Sequence, residues 1–157
     1  MADKKTISTP KSLVGPWYNE LGSVMEIRDS TEEGVLVGRF NSTVGNAEGW
    51  YELRGTYDKD GSESFGTIGW AVTFNNSEQG DSCSTCTWSG LRKLQLDGNP
   101  VIITTWLLTR QKKEDTKIWE STHVNKDYFY RTLPKDEKIQ AAPTAQNSKE
   151  PASTKSD

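Results

Sequence analysis

The run Val101–Leu108, with the sequence VIITTWLL, decides the fold class because it contains only β-branched, aromatic and aliphatic residues. These residue types are enriched in strands, where successive side chains point to opposite faces. If Trp106 faces inward, so do Ile102, Thr104 and Leu108, while the opposite face carries Val101, Ile103, Thr105 and Leu107. Such a strand is apolar on both faces, so its outer face needs a cover. With no helix predicted to provide one, we expect the cover to be another subunit.

Seven further runs have a strand-like composition, and turn-forming sequences such as Asp58-Lys59-Asp60-Gly61 separate them. The eight expected strands are Gly15–Glu20, Ser23–Asp29, Val35–Asn41, Tyr51–Tyr57, Phe65–Asn75, Cys83–Leu96, Val101–Arg110 and Thr122–Thr132. No amphipathic helix longer than a turn or two is predicted. The pattern therefore predicts an all-β fold, an eight-stranded antiparallel up-and-down β-barrel with room for one small ligand.

The length of the chain, 157 residues, suits a single domain. We predict a flexible N-terminal segment at residues 1–12, a barrel domain at 13–133 and a disordered tail at 134–157. The tail has no aromatic residue, one isoleucine and three prolines. It therefore cannot bury enough apolar surface to offset the entropy of ordering it.

Charge and hydropathy exclude two classes of partner. The chain has 19 basic and 22 acidic residues with no basic stripe, so we expect no nucleic-acid partner. No stretch approaches the roughly 18 apolar residues of a membrane span, so we expect no membrane association. The N-terminus has no apolar segment of the kind that drives secretion. We expect a cytoplasmic protein as the sequence is written, or a secreted one if a leader has been removed.

The cysteine and histidine content argues against a metal site. Cys83 and Cys86 are three residues apart, which in a strand places them on opposite faces and makes a disulfide between them geometrically poor. With one histidine, His123, too few further ligands exist for zinc. We expect free thiols, no metal and no cofactor.

The predicted interior combines indole rings with small polar groups. Trp17, Trp70, Trp88 and Trp106 share inward parity, and each is framed by glycine or hydroxyl residues or lies next to a predicted inward polar residue. The smaller residues expected to face inward with them are Asn19, Ser23, Phe40, Ser42, Ser84, Cys86 and Asp127. Burying unpaired asparagine or serine would cost roughly 1–3 kcal/mol each, so these groups need partners. The pattern predicts a deep box for a compact ligand with an apolar body and a polar head.

Six blocks of sequence carry a family resemblance. They are Trp17-Tyr18-Asn19-Glu20-Leu21-Gly22-Ser23, Val44-Gly45-Asn46-Ala47-Glu48, Gly69-Trp70-Ala71-Val72, Thr87-Trp88-Ser89-Gly90, Trp106-Leu107-Leu108 and Trp119-Glu120-Ser121-Thr122. In order and spacing, the chain from Gly15 to Thr132 resembles the avidin and streptavidin family. The resemblance is closest to its bacterial and fungal, tamavidin-like, branches.

The resemblance implies a non-enzymatic protein that binds biotin with high affinity, one site per subunit at the open end of the barrel. It implies a homotetramer, with a dimer as the alternative, and sequestration of biotin, possibly for defence. It places Asn19 and Ser23 on the ureido carbonyl, and Ser42 and Asp127 on the ring N–H groups. The remaining residues of the implied biotin site are Leu21, Phe40, Val44, Asn46, Trp70, Phe74, Ser84, Cys86, Trp88, Trp106, Leu108 and, from a neighbouring subunit, Trp119.

Three residues depart from the family pattern. Phe40 stands where the family usually has a tyrosine donor, Phe74 where streptavidin has a tryptophan, and Cys86 where a threonine hydroxyl approaches the biotin sulfur. Losing the tyrosine hydrogen bond would cost about 1 kcal/mol. We therefore predict tight binding, somewhat below the best in the family.

Three alternative functions remain open at this stage. A lipocalin-like carrier of another small apolar ligand would have a mostly aliphatic cavity and, for fatty acids, an inward arginine, whereas Arg39 has outward parity. An enzyme could pair Cys86 with His123 as nucleophile and base, but we expect His123 and Asp127 not to share a face. A carbohydrate-binding module would present its tryptophans on an exposed platform.

Overall fold

The computed structural model describes residues 13–31, 33–43, 49–62, 64–75, 83–111 and 115–135. It contains eight strands and one short 3-10 helix. The strands are β1 (Gly15–Tyr18), β2 (Val24–Ser30), β3 (Val35–Asn41), β4 (Trp50–Tyr57), β5 (Phe65–Asn75), β6 (Cys83–Leu94), β7 (Pro100–Arg110) and β8 (Thr122–Tyr130). The 3-10 helix, η1 (Asp115–Glu120), lies between β7 and β8.

The strands pair in sequence order, each antiparallel to the next, and β8 pairs with β1 to close the barrel. The predicted all-β up-and-down barrel is therefore confirmed. Its upper end carries the β1–β2, β3–β4, β5–β6 and β7–β8 connections, and its lower end carries the other three. The predicted flexible segment 1–12 and residues 136–157 of the predicted tail 134–157 lie outside the described residues. Pro134, the first residue of that tail, is buried.

Three strands, β1, β6 and β8, end two residues earlier than predicted. In the first two, turn hydrogen bonds replace the ladder. β1 ends at Tyr18 since the Asn19 side chain turns the backbone toward β2, with Gly22 in the left-handed region (φ 84°) that glycine tolerates. β6 ends at Leu94 because the Gln95 N–H donates to the Asn99 carbonyl (2.8 Å) and forms a turn. η1 was not predicted from the sequence.

The lower end of the interior is filled by large apolar side chains, which we call the lower core. Leu13, Leu36 and Ile102 are 0–1% exposed. The polar atoms nearby have backbone partners: the Tyr57 hydroxyl donates to the Thr31 carbonyl, and Arg92 donates to the Ser62 carbonyl at 2.7 Å. This end is closed by packing.

The β1–β8 junction, the seam of the barrel, is narrow. Its ladder contains a single residue pair, Tyr18 with Tyr130, whereas the other junctions contain between four and eleven. Side chains extend it on both sides. The Glu20 carboxylate accepts from the Tyr128 N–H at 2.8 Å, and Arg131 donates to two backbone carbonyls just before and within β1. Side-chain hydrogen bonds thus supply rungs that the backbone lacks.

The free cysteines behave as predicted, since Cys83 is exposed and Cys86 is buried. No helix in the described ranges is long and apolar enough to cross a membrane.

Candidate functional site

Aromatic rings from four strands meet inside the barrel. Trp70 stacks on Trp88, with ring centroids 5.7 Å apart and planes 20° apart. Phe40 lies 5.1 Å from the Trp88 ring and 6.1 Å from that of Phe74. The Phe129 ring completes the group, edge-on to Trp70 at 5.4 Å. These rings come from inward positions on β3, β5, β6 and β8, as strand alternation requires.

Asn19 is held so that its amide nitrogen faces the interior. Its Oδ1 accepts from the N–H groups of Leu21 (3.1 Å) and Ser23 (2.8 Å), which fixes the oxygen toward the β1–β2 turn. Nδ2 is therefore the atom that can face Asp127, and the interaction with Asn19 partly opposes the rise that burial causes in the pKa of Asp127. An amide nitrogen has two N–H groups. They can serve both the carboxylate and a bound molecule.

Asp127 is the acceptor of the site. Its Oδ2 accepts from Trp88 Nε1 at 2.9 Å. Its backbone carbonyl accepts from the Thr104 hydroxyl at 3.0 Å, which fixes this part of β8 to β7. Burial raises the pKa of Asp127, and polar interactions with Trp88, Trp106 and Asn19 partly oppose that shift.

Ser23 follows the turn that Asn19 caps, and it is 1% exposed. Its hydroxyl lies 3.2 Å from the hydroxyl of Thr43 at the end of β3. The turn therefore brings two potential donors, Asn19 Nδ2 and Ser23 Oγ, to the same end of the barrel. Asp127 lies beside them because closing a barrel staggers its strands. Donors next to a carboxylate suit a group with a carbonyl oxygen and adjacent N–H groups, such as a cyclic urea or amide.

The other predicted site residues divide by burial. Ser84, Cys86 and Phe74 are buried, while Leu21, Ser42, Trp106 and Leu108 are half-buried. The inward orientation predicted for Ser84, Cys86 and Trp88 is thus observed. Val44 and Asn46 lie outside the described residues.

Trp119 differs from the other predicted site residues that the structure describes. It lies on η1 and is 76% exposed, so most of its ring is open to solvent within one chain. Its neighbour Ile118 is 63% exposed. On the outer wall of β7 and β8, the paired residues Leu107 and Val124 are 43% and 62% exposed. We call these four exposed apolar side chains, two on η1 and two on the strands that flank it in sequence, the η1 patch.

One buried donor in the aromatic group is unpaired. Among the buried side chains that the structure describes, Trp70 Nε1 is the polar atom without a hydrogen-bond partner. An unpaired buried donor costs about 1–3 kcal/mol. The indole therefore retains a hydrogen bond to offer within the barrel.

Two supporting residues were not predicted from the sequence to act at the site. Thr43 follows β3 and was assigned no role, and its contact with Ser23 joins residues 20 apart. Glu20 lies next to Asn19, and burial together with the nearby Asp127 charge raises its pKa to about 7. The one signal in the sequence was that the acidic residue Glu20 stands next to Asn19, which is predicted to face inward.

The expectation that His123 and Asp127 do not share a face is wrong. Both lie on the single strand β8, four residues apart, so they have the same parity. Cys86 is nevertheless a poor nucleophile, because burial and the Asp127 charge raise the pKa of its thiol far above the usual value. In the ranges that the structure covers, no three His, Cys, Asp or Glu side chains cluster as a metal site would require.

Comparison with known proteins agrees with the fold and with the sequence blocks. Residues 7–132 match the Avidin family. The chain is 31% identical to avidin-related protein 4/5 of Gallus gallus over 80% of its own length and 81% of the relative's. It is 29% identical to avidin of Gallus gallus, over 76% and 78% of the two lengths.

Proposed function

Because the chain belongs to the avidin family, we propose that it binds biotin non-covalently, with one site inside each barrel. The Asn19 amide nitrogen and the Ser23 hydroxyl donate to the ureido carbonyl. Asp127 accepts from one ring N–H, and Ser42 from the other. The aromatic group around Trp88 packs on the fused rings, with Trp106 and Leu108 beside it. No bond is made or broken, so the protein acts as a binder and not as an enzyme.

The observation that carries this proposal is the Asn19–Asp127 pair. Both side chains are buried, and their interaction partly opposes the rise that burial causes in the pKa of Asp127, so a donor and an acceptor lie side by side inside the barrel. Trp88 Nε1 donates to the same carboxylate and thereby joins the polar pair to the aromatic wall. A cyclic urea presents the complementary order of groups, an acceptor oxygen next to a donor nitrogen.

A lipocalin-like carrier is less favoured. A fatty-acid carrier needs an inward cation for the carboxylate, whereas Arg39 is paired with Glu26 and lies over the Trp50 ring at 4.0 Å. Trp50 is 43% exposed, so this arginine faces the outer wall. The polar residues around Asn19 also suit a hydrogen-bonding head group better than an aliphatic chain.

We further propose a homotetramer in which Trp119 covers the site of a neighbouring subunit. The η1 patch supports assembly because all four of its large apolar side chains are exposed in the single chain. The position of Trp119 beyond the barrel wall supports a role that a second chain completes. Sequestration of biotin as a defence would follow from retention of this kind.

Calorimetry and native mass measurement with biotin test the proposal together. The full chain is compared with Asp127→Ala and with the control Asp29→Ala, which changes an exposed aspartate on β2. We expect saturable binding of one biotin per chain in an assembly of four chains. Because a charged hydrogen bond contributes about 1.5–3 kcal/mol, Asp127→Ala should weaken binding roughly 10- to 100-fold. Asp29→Ala should stay within about twofold of the unchanged chain.

The proposal fails if biotin gives no saturable heat with the unchanged chain. The placement of the site fails if Asp127→Ala binds as tightly as Asp29→Ala. An assembly of two chains would contradict the tetramer and leave the biotin site standing.

A further inference from the structure

We infer that Thr43 is a positioning residue for Ser23 and thereby sets how firmly the site holds its ligand. Thr43 follows β3 and lies outside the residues that the family resemblance assigns to the ligand. The inference rests on the proposed biotin site. It concerns how one of its two carbonyl donors is held ready.

Three hydrogen bonds join Thr43 to the β1–β2 turn. The Thr43 N–H donates to Ser23 Oγ at 3.1 Å, and the Thr43 hydroxyl donates to the Leu21 carbonyl at 2.8 Å. The two hydroxyl oxygens of Ser23 and Thr43 lie 3.2 Å apart. Since Leu21 and Ser23 belong to one turn, Thr43 ties that turn to the end of β3 at two points.

The direction of the hydroxyl–hydroxyl bond follows from counting protons. Each hydroxyl has one proton to donate and two lone pairs to accept with. Thr43 gives its proton to the Leu21 carbonyl, so it has none left for Ser23. Ser23 is therefore the donor to Thr43 Oγ1. In the ligand-free barrel, the Ser23 hydroxyl therefore donates its proton to Thr43. In the proposed function, it donates the same proton to the biotin carbonyl.

A ligand carbonyl that enters the site competes only for that proton. The Ser23 hydroxyl can rotate to donate to the ligand while it still accepts from the Thr43 N–H. That retained bond polarises the hydroxyl and strengthens its donation. The Thr43 hydroxyl contributes indirectly. Its bond to the Leu21 carbonyl keeps Thr43 in place, so that the Thr43 backbone N–H stays directed at Ser23. Removing the Thr43 hydroxyl should loosen the turn and weaken the grip of Ser23 on the ligand.

A double-substitution cycle with biotin tests this role. Thr43→Val keeps the shape of the side chain and removes its hydroxyl, while Ser23→Ala removes the group that Thr43 is inferred to position. The loss of one neutral hydrogen bond corresponds to about a 5- to 10-fold faster biotin dissociation for Thr43→Val. In the Ser23→Ala background, the same substitution should change dissociation by less than about twofold. Thr43→Ser, which keeps the hydroxyl, should restore the rate to within about threefold.

Thr56→Val is the matched control, since Thr56 is exposed on the outer face of β4. It should leave dissociation unchanged, and thermal unfolding of all variants should show that they fold. Equal effects of Thr43→Val with and without Ser23 would overturn the inference, because Thr43 would then act independently of Ser23. Slower dissociation in Thr43→Val would also overturn it, since competition for the proton would outweigh positioning. If the unchanged chain binds no biotin, the proposed function fails instead.

Discussion

The lower core and the candidate site occupy the same cylinder and follow the same strand alternation, yet they contain different chemistry. In the lower core, Leu36 and Ile102 are 0% exposed, and nearby polar atoms bond to backbone carbonyls. In the candidate site, Asn19, Ser23 and Asp127 are buried too, but they bond largely to neighbours of the site itself. Burial therefore does not distinguish core from site. What distinguishes them is whether buried donors and acceptors lie next to each other in an order that a small molecule can complement.

If this contrast holds, a change in the lower core should affect stability far more than binding. Leu36→Ala removes a fully buried side chain and should lower the free energy of unfolding by about 2–5 kcal/mol. Biotin affinity of the folded fraction should change by less than about threefold. Urea denaturation and calorimetry measure the two quantities. The control Val35→Ala changes the adjacent residue, which is 40% exposed, and should have a much smaller effect on stability. A large loss of affinity in Leu36→Ala would show that the two regions are coupled.

Glu20 sharpens the contrast between the two regions. Because this half-buried carboxyl group lies beside the candidate site, the free energy of unfolding should depend on pH. The pKa of Glu20 is raised from 4.5 to about 7, so the folded chain binds this proton more tightly than the unfolded chain. The free energy of unfolding should therefore fall as the pH rises from about 4.5 to about 7. Glu20→Gln keeps an acceptor for the Tyr128 N–H and removes the charge. It should recover roughly 1–2 kcal/mol at pH 8, discounted for partial exposure.

Denaturation curves at several pH values check this prediction. Some pH dependence should remain in Glu20→Gln, because burial also raises the pKa of Asp127. An identical pH profile in both proteins would show that Glu20 is fully solvated in the folded chain.

The smallest expected effect is a gain in binding. Phe40 is 3% exposed and lies 5.1 Å from the Trp88 ring, within the aromatic group. Phe40→Tyr adds a hydroxyl where the family resemblance places a third carbonyl donor. One further hydrogen bond should tighten biotin binding by about 1 kcal/mol, or roughly fivefold. Competition against a labelled biotin measures the change. Equal or weaker affinity would show that the added hydroxyl does not reach the carbonyl.

Much of the fold could be predicted from the sequence because strand alternation has a period of two residues. Residues 101–108 place Ile102 and Thr104 inward, and both are buried in the structure. Val101 shows the limit of that logic. It was assigned to an outer face covered by another subunit, yet it is 3% exposed within the single chain. Farther along β7, at Thr105 and Leu107, that outer face is open to solvent.

The supporting contacts of the site could not be predicted because they join distant parts of the chain through side chains. The bond from the Tyr128 N–H to Glu20 spans 108 residues, and no local pattern indicates it. The contacts of Thr43 depend on where a turn places Leu21 and Ser23. Alternation predicts which side chains enter the barrel, whereas barrel closure decides which of them meet.

The seam gives a bound molecule a mechanical task. Asn19 follows β1 and Asp127 belongs to β8, the two strands that share one backbone pair. A molecule hydrogen-bonded to both would cross-link the narrowest junction of the wall. Thermal stability and slow ligand dissociation would then be coupled, because the barrel could not separate at that junction until the ligand had left.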